Sequence, residues 1–227
     1  MDLVDSLIVT SRSDADTQAD SHYQVNHLAQ KLLIMTLLPT LLATSRDIHN
    51  SSPRLVCMSS DLHRAAPPST GFKTKDEINQ DIGPMLLYNR SKLAQVLFIR
   101  RLQHDLEKGT YGPGKIYVNA THPGGVATDQ QKQAVEAYGT LGKVGVAAVK
   151  PLLSDPVKTG CRSGLFAAAS GDVVEENITG QYIVPERKVT DPSDQGRDAA
   201  LADQLWALDE QLLREHFGSK SPYEGVT

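Results

Sequence analysis

Tyr88 and Lys92 stand four residues apart in Tyr88-Asn89-Arg90-Ser91-Lys92, in a segment that reads as helix. At that spacing both side chains lie on one helical face. A free tyrosine titrates near ~10. A fixed ammonium beside it favours the phenolate and pulls that value down. Such a pair can act as a general acid and its tuner near neutral pH. The same spacing also arises on solvated helices, where Tyr and Lys are common. What surrounds the pair must decide between the two readings.

Strands and helices alternate around it. Leu7-Ile8-Val9, within residues 5–10, reads as a short strand, and residues 11–20 as a polar loop. From Ser21 to Thr44 the residues Val25, Leu28, Ala29, Leu32, Leu33 and Leu37 recur at helical spacing, with Pro39 expected to bend or interrupt the helix. Arg54 to Ser60 reads as a buried strand ending in two hydroxyls, followed by a long polar loop over 61–83. Pro84 opens the helix that carries Tyr88 and Lys92, which should end near Lys108, before Gly109. Lys115 to Thr121 is a second strand, ending at His122-Pro123-Gly124-Gly125. Residues 133–152 read as helical, and Asp155-Pro156 as the start of a helix that includes Leu165 to Ala169. Gly180 to Val184 is a last short strand, and residues 197–217 a helix with Leu201, Leu205, Leu208 and Leu212 on one face. This order predicts an α/β fold, a parallel sheet with helices on both faces. Ligands in such folds bind at the carboxyl ends of the strands. Ser59-Ser60 and the run from Thr121 to Gly125 are two such ends.

Composition narrows the function classes. At 227 residues the chain is one large domain or two small ones, and a net charge of -4 carries no nucleic-acid footprint. Cys57 and Cys161 are too few for a disulfide framework and lack metal spacing, so both read as small core residues in a reducing compartment. Asp2 and Asp5 before Leu7 do not read as a signal peptide. No apolar run approaches the ~20 residues of a membrane span. Sequons begin at Asn50, Asn89, Asn119 and Asn177. A glycan on Asn89 would sit beside Tyr88, and one on Asn119 would interrupt a strand, which argues against a secreted product.

Asn26, then Ser60, then Tyr88 with Lys92, then a Pro-Gly turn with Val126 and Thr128 occur in that order. In that order they resemble the short-chain dehydrogenase/reductase family. The long Ser60-to-Tyr88 segment and the tail from Gly180 through Leu205-Trp206 are most similar to its retinol-dehydrogenase-like fungal members. The resemblance covers roughly residues 21–217. It implies NAD(P)-dependent interconversion of a carbonyl and an alcohol on a small organic substrate. It implies Tyr88 as the acid in reduction, and Lys92 as the group that lowers the Tyr88 pKa and bonds the nicotinamide ribose. Ser60 would donate to the substrate carbonyl, and Asn26 would hold a water behind Lys92. Pro123, Gly124, Val126 and Thr128 would wrap the nicotinamide end, beside Tyr88 and Lys92. Two positions stay open. Asn26 also reads as a solvated helix residue, and Ser59 could take the carbonyl contact, since strand neighbours point to opposite faces. His27 and His122 read as packing or surface residues, and Trp206 as core. A hydrolase built on Ser60 lacks a nucleophile elbow.

The family's dinucleotide site opens with a strand and a glycine-rich turn into a helix. No such turn precedes Asn26, where only 25 residues stand. At roughly 30 residues per unit, about three β–α units are lacking. The chain therefore reads as a truncated Rossmann-like fold, with an atypical segment over 1–20 and the C-terminal part of the family's domain over 21–227. Without the helix N-terminus that holds a pyrophosphate, it should bind its cofactor weakly. An unpaired sheet edge should make it self-associate as a homo-oligomer. The cofactor is taken as NADP from the subfamily, with NAD the alternative. The expected partner is a small-molecule carbonyl or alcohol, with no nucleic acid and no membrane span, in the cytoplasm. A role in fungal secondary metabolism rests on family analogy. The rival reading is a non-catalytic remnant that binds or dimerises.

Overall fold

The computed structural model describes residues 20–124, 160–185 and 187–218. Helix α1 (Ser21–Asp47) precedes strand β1 (Arg54–Met58), and α2 (Lys75–Asn79) and α3 (Pro84–Glu107) lead to β2 (Tyr117–Thr121). Then α4 (Arg162–Ala169) and α5 (Asp172–Glu175) lead to β3 (Tyr182–Val184) and β4 (Lys188–Thr190), and α6 (Asp194–Arg197) and α7 (Ala199–Phe217) follow. The four strands form one sheet in the order β1-β2-β3-β4. β1, β2 and β3 are parallel, with Cys57 opposite Ala120 and Ala120 opposite Tyr182. β4 doubles back antiparallel on β3, an edge strand that its three residues were too short to announce.

Side chains alternate across the sheet with the strand period of two. Leu55, Cys57, Val118, Ala120 and Tyr182 enter one core with α1, α3 and α7. Tyr117 and Ile183 enter a second, smaller core with Phe166 and Ala167 of α4 and Val173 of α5. Helices thus cover both faces, and the fold is the expected α/β arrangement.

Four expectations need correction. Pro39 does not interrupt α1, which runs on to Asp47. Leu28, Leu32, Met35, Leu38 and Leu42 bury one stripe of it. At about 1.5–3 kcal/mol for each such side chain, that burial outweighs the roughly 3 kcal/mol that an interior proline costs. The buried stripe is also rotated from the expected one, since Val25, Leu33 and Leu37 are exposed. By length and composition α1 is apolar enough to cross a bilayer, yet one side of it packs against the sheet and it buries Lys31. The segment over 61–83 is not a plain loop. It holds a 3-10 turn, Asp61–Ala65, and α2, with Phe72 and Ile78 fully buried. Two isolated apolar residues give no periodicity to read. The Glu77 carboxylate organises the segment by accepting from the N–H groups of Gly71, Phe72 and Lys73. Finally, Cys57 is buried as expected but Cys161 is exposed.

Pro84 takes the first position of α3, after Gly83 in the left-handed region at φ 83°. The buried Arg90 then ties α3 to its surroundings, donating to the Glu77 and Ile78 carbonyls and to Asp20. The expected features at Leu7 to Val9, 133–152 and Asp155-Pro156 lie outside the described residues.

Candidate active site

The site grows from the end of β1. The Ser59 N–H donates to the Thr121 carbonyl at 2.7 Å, so the β1–β2 ladder continues one residue past the strand. Ser59 and Ser60 then point apart. Ser59 Oγ donates to the Lys92 carbonyl at 2.8 Å and ties the strand end to α3. Ser60 Oγ caps the 3-10 turn by accepting from the Leu62 N–H at 3.2 Å, and it lies near enough to the Tyr88 phenol to ease its pKa down. Of the two serines, Ser60 is the one that meets the Tyr88 phenol.

His63 holds Ser60 in place, and nothing in the sequence marked it. Its ring is fully buried. Nε2 accepts from the Ser193 N–H at 3.0 Å, and a backbone N–H can only donate, so Nε2 is unprotonated. Nδ1 therefore carries the hydrogen and donates to the Ser60 carbonyl at 2.7 Å. Burial pulls the His63 pKa down, and the bond to Ser60 opposes it only in part. The imidazole is a neutral strut. It bonds the Ser60 carbonyl rather than its hydroxyl, which leaves that serine without the base a hydrolase would need.

Tyr88 and Lys92 share a face of α3, as their spacing requires. Lys92 Nζ lies 5.4 Å from the centre of the Tyr88 ring. Tyr88 is half-buried, and Lys92 is nearly closed off. The Lys92 ammonium donates to the Met58 carbonyl and to Gln95 Oε1, both at 3.0 Å. The electrostatics differ from the expectation. Burial pushes the Tyr88 pKa up, and the neighbouring Ser60 hydroxyl opposes it in part. Lys92 is not among the groups that move the Tyr88 pKa. Its own pKa is pulled down by burial, with Cys57 opposing.

Asn26 sits in a π-helical turn of α1, Gln24–Leu28, and is bonded at both ends. Its side-chain amide donates to Ser91 Oγ at 3.0 Å, and Ser91 in turn donates to the Tyr88 carbonyl at 2.7 Å. Its carbonyl accepts from Gln95 Nε2. It is therefore not a solvated helix residue, and the direct partner of its carbonyl is the Gln95 amide.

The end of β2 lies beside this group. The His122 N–H donates to the Ile183 carbonyl, and His122 Nδ1 accepts from the Asp61 N–H at 3.2 Å. Asp61 also accepts from the Tyr182 hydroxyl at 3.0 Å, so the ends of β1, β2 and β3 are laced together. Pro123 and Gly124 follow, Gly124 at φ 90°, where a side chain would be strained. Val126 and Thr128 lie outside the described residues. A concavity lined by Arg162, Phe166 and Arg187 lies over α4 and contains none of these groups.

A nicotinamide dinucleotide is the cofactor implied by the resemblance, and the residues present fit one end of it. Lys92 keeps one ammonium hydrogen beyond those given to Met58 and Gln95, next to the Tyr88 phenol. Among the described residues no glycine-rich strand–turn–helix stands ready for a pyrophosphate.

No protein-family model matches the chain. It is similar to a Neurospora crassa protein named as the mitochondrial oxidoreductase bli-4, with 34% identity over 91% of this chain and 49% of that one. It is similar to the short-chain dehydrogenase/reductase drtF of Aspergillus calidoustus, with 30% identity over 86% of this chain and 62% of that one. The human WW domain-containing oxidoreductase is 28% identical over 89% of this chain and 45% of its own length. The chain spans about half the length of the curated relatives it matches. A crystal structure of an uncharacterized protein from Mycobacterium paratuberculosis shares the fold at a TM-score of 0.55, with 24% identity, covering 84% of this chain and 57% of that one. Relatives that carry the family's name align along most of this chain, so the chain belongs to the short-chain dehydrogenase/reductase family.

Proposed function

We propose that this chain carries the proton-transfer half of an NAD(P)-dependent oxidoreductase that interconverts a carbonyl and an alcohol on a small organic substrate. The observation that carries the reading is Lys92, buried at the carboxyl end of β1, with its Nζ bonded to the Met58 carbonyl at 3.0 Å and 5.4 Å from the centre of the Tyr88 ring, beside Ser60. When bound, the nicotinamide supplies the hydride. Tyr88 supplies the proton. Its raised pKa keeps it a neutral phenol near neutral pH, the form needed to protonate an alkoxide as it develops. The Ser60 hydroxyl accepts from Leu62 and would turn its one hydrogen from the Tyr88 side to the substrate oxygen when substrate binds. Lys92 would hold the cofactor ribose through its remaining hydrogen. Pro123 and Gly124 would border the nicotinamide, with Val126 and Thr128 the further contacts that the motif implies. NADP rather than NAD, and a cytoplasmic setting, belong to the same reading.

The test is oxidation of NADPH and NADH at millimolar coenzyme with a panel of aldehydes and ketones, for the wild-type chain and for Tyr88→Phe. Turnover by the wild type that falls by about 10²–10⁴ in Tyr88→Phe supports the proposal. Equal turnover by the two proteins removes Tyr88 from the chemistry. Coenzyme binding without turnover of any carbonyl favours the non-catalytic reading. Micromolar NADPH binding in calorimetry would overturn the expectation of weak binding.

A further inference from the structure

Behind Lys92 lies an amide that neither the spacing nor the motif order marked. Gln95 is one turn beyond Lys92 on α3 and only 1% exposed. Its Oε1 accepts from Lys92 Nζ at 3.0 Å. Its Nε2 donates to the Asn26 carbonyl, and at 2.8 Å to Gln30 Oε1, which also accepts from the Cys57 thiol. The amide cannot be turned over. Nε2 faces two oxygens that can only accept, and Oε1 faces an ammonium that can only donate. We propose that Gln95 is a positioning residue that fixes the Lys92 ammonium from behind, bridging it directly to α1 at Asn26. The proposal deepens the role given above to Lys92 and rests on that reading for its catalytic consequence, though not for its geometry.

An amide in this place differs from a water. A water turns freely and can pass a proton along. A carboxamide does neither near neutral pH, because its oxygen is too weakly basic and its nitrogen too weakly acidic. Gln95 therefore sets where the Lys92 charge sits without conducting protons past it. With the Met58 carbonyl it takes two of the three ammonium hydrogens. One hydrogen is left for the Tyr88 side. The bridge also keeps a buried cation tolerable, since burial alone favours neutral Lys92.

The experiment is an NMR titration of the chain with 13Cε-labelled lysine, with Lys92 assigned by Lys92→Met. Gln95→Met has similar bulk and no acceptor, so Lys92 should titrate at lower pH than in the wild type. Gln95→Glu keeps an acceptor and adds a charge, so Lys92 should titrate at higher pH. Hydrogen exchange of the Gln95 side-chain amide in the wild type supplies a reading that needs no variant, and it should be slowed at least tenfold relative to an exposed glutamine. A Lys92 titration that moves in neither variant, or an amide that exchanges like an exposed one, overturns the proposal. If carbonyl reduction is measurable, Gln95→Met should lower kcat and shift the pH profile while leaving KM for the carbonyl unchanged. An inactive wild type with a responsive Lys92 would sink the proposed function and keep this inference.

Discussion

Two helices of this chain place a tyrosine and a lysine on one face, and they do opposite things. On α1, Tyr23, His27 and Lys31 recur every four residues and converge on Asp209 of α7, at 2.6, 2.8 and 3.3 Å. On α3, Tyr88 and Lys92 repeat the spacing. All members of the first group are sealed, with none more than 1% exposed. Lys31 has a second carboxylate in Glu210 at 3.1 Å and lies over the Trp206 ring. In the second group the phenol is half-buried, and the lysine has neutral oxygens for partners. Burial raises both phenols, but Asp209 pushes Tyr23 further up while Ser60 eases Tyr88 back. Spacing creates the face. The partner that arrives from elsewhere decides whether the face becomes a clamp or an acid.

The sharpest way to break the comparison is to remove each centre in turn. Asp209→Ala leaves His27 and Tyr23 buried without their carboxylate and Lys31 with Glu210 alone, and should cost about 3–5 kcal/mol in urea denaturation. Tyr88→Phe should stay within about 1 kcal/mol in the same measurement, with its loss appearing in turnover. Equal stability costs would mean that both groups are structural. The pH dependence should separate them as well. Burial pushes the Asp209 pKa up, but His27 and Lys31 outweigh it and hold it below the ordinary value of 3.8. Its stabilisation is thus complete above that value and is lost as pH falls through the folded one. The raised Tyr88 contributes stability that is complete below ~10 and is lost as pH rises through its folded value. Asp209→Ala should flatten the acid limb of stability against pH, and Tyr88→Phe the alkaline limb.

How legible each region was follows from where its partners lie in the chain. Tyr88, Lys92 and Ser60 could be read because helix spacing and strand ends are local features. Asp209 could not, because it meets Tyr23 across 186 positions and no local pattern announces such a pairing. His27 therefore looked like a packing or surface residue. Gln95 and His63 were missed for a related reason, since each acts through a bond to a backbone carbonyl, for which the sequence has no signature. Pro39 misled because a propensity was weighed without the burial that overrides it. The sequons resolve in the same physical terms. The Asn89 and Asn119 amides are buried and donate to the Ala65 and Ile178 carbonyls, so neither can carry a glycan in this fold.

His63 tests whether the second region has a clamp of its own. Its folded pKa is depressed, so its stabilisation is complete above ~6.5 and is lost as pH falls through the folded value. Protonation would turn Nε2 into a donor facing the Ser193 N–H. His63→Leu should cost about 1–3 kcal/mol at neutral pH, because it strands that N–H and frees the Ser60 carbonyl. The variant should also lose the part of the wild-type slope that falls below pH 6.5. A variant as stable as the wild type would show that Ser60 is held by the 3-10 turn alone.

The smallest effects decide between the two serines. Ser59→Ala removes a hydroxyl that donates to the Lys92 carbonyl, a group inside α3 that also accepts in the helix ladder. About 1 kcal/mol of stability should go, with the Tyr88 titration left where it is. Ser60→Ala removes the cap on the Leu62 N–H and the one group that opposes burial at Tyr88. Its stability cost should be similar, about 0.5–1 kcal/mol, but the Tyr88 phenol should then titrate at still higher pH. The difference in tyrosine absorbance between each variant and its Tyr88→Phe double mutant isolates that one phenol. A shift in Ser59→Ala and none in Ser60→Ala would transfer the substrate contact to Ser59. The expected pattern, a shift only in Ser60→Ala, would show that adjacent hydroxyls of equal structural weight are split by strand alternation, one facing the packing and the other the chemistry.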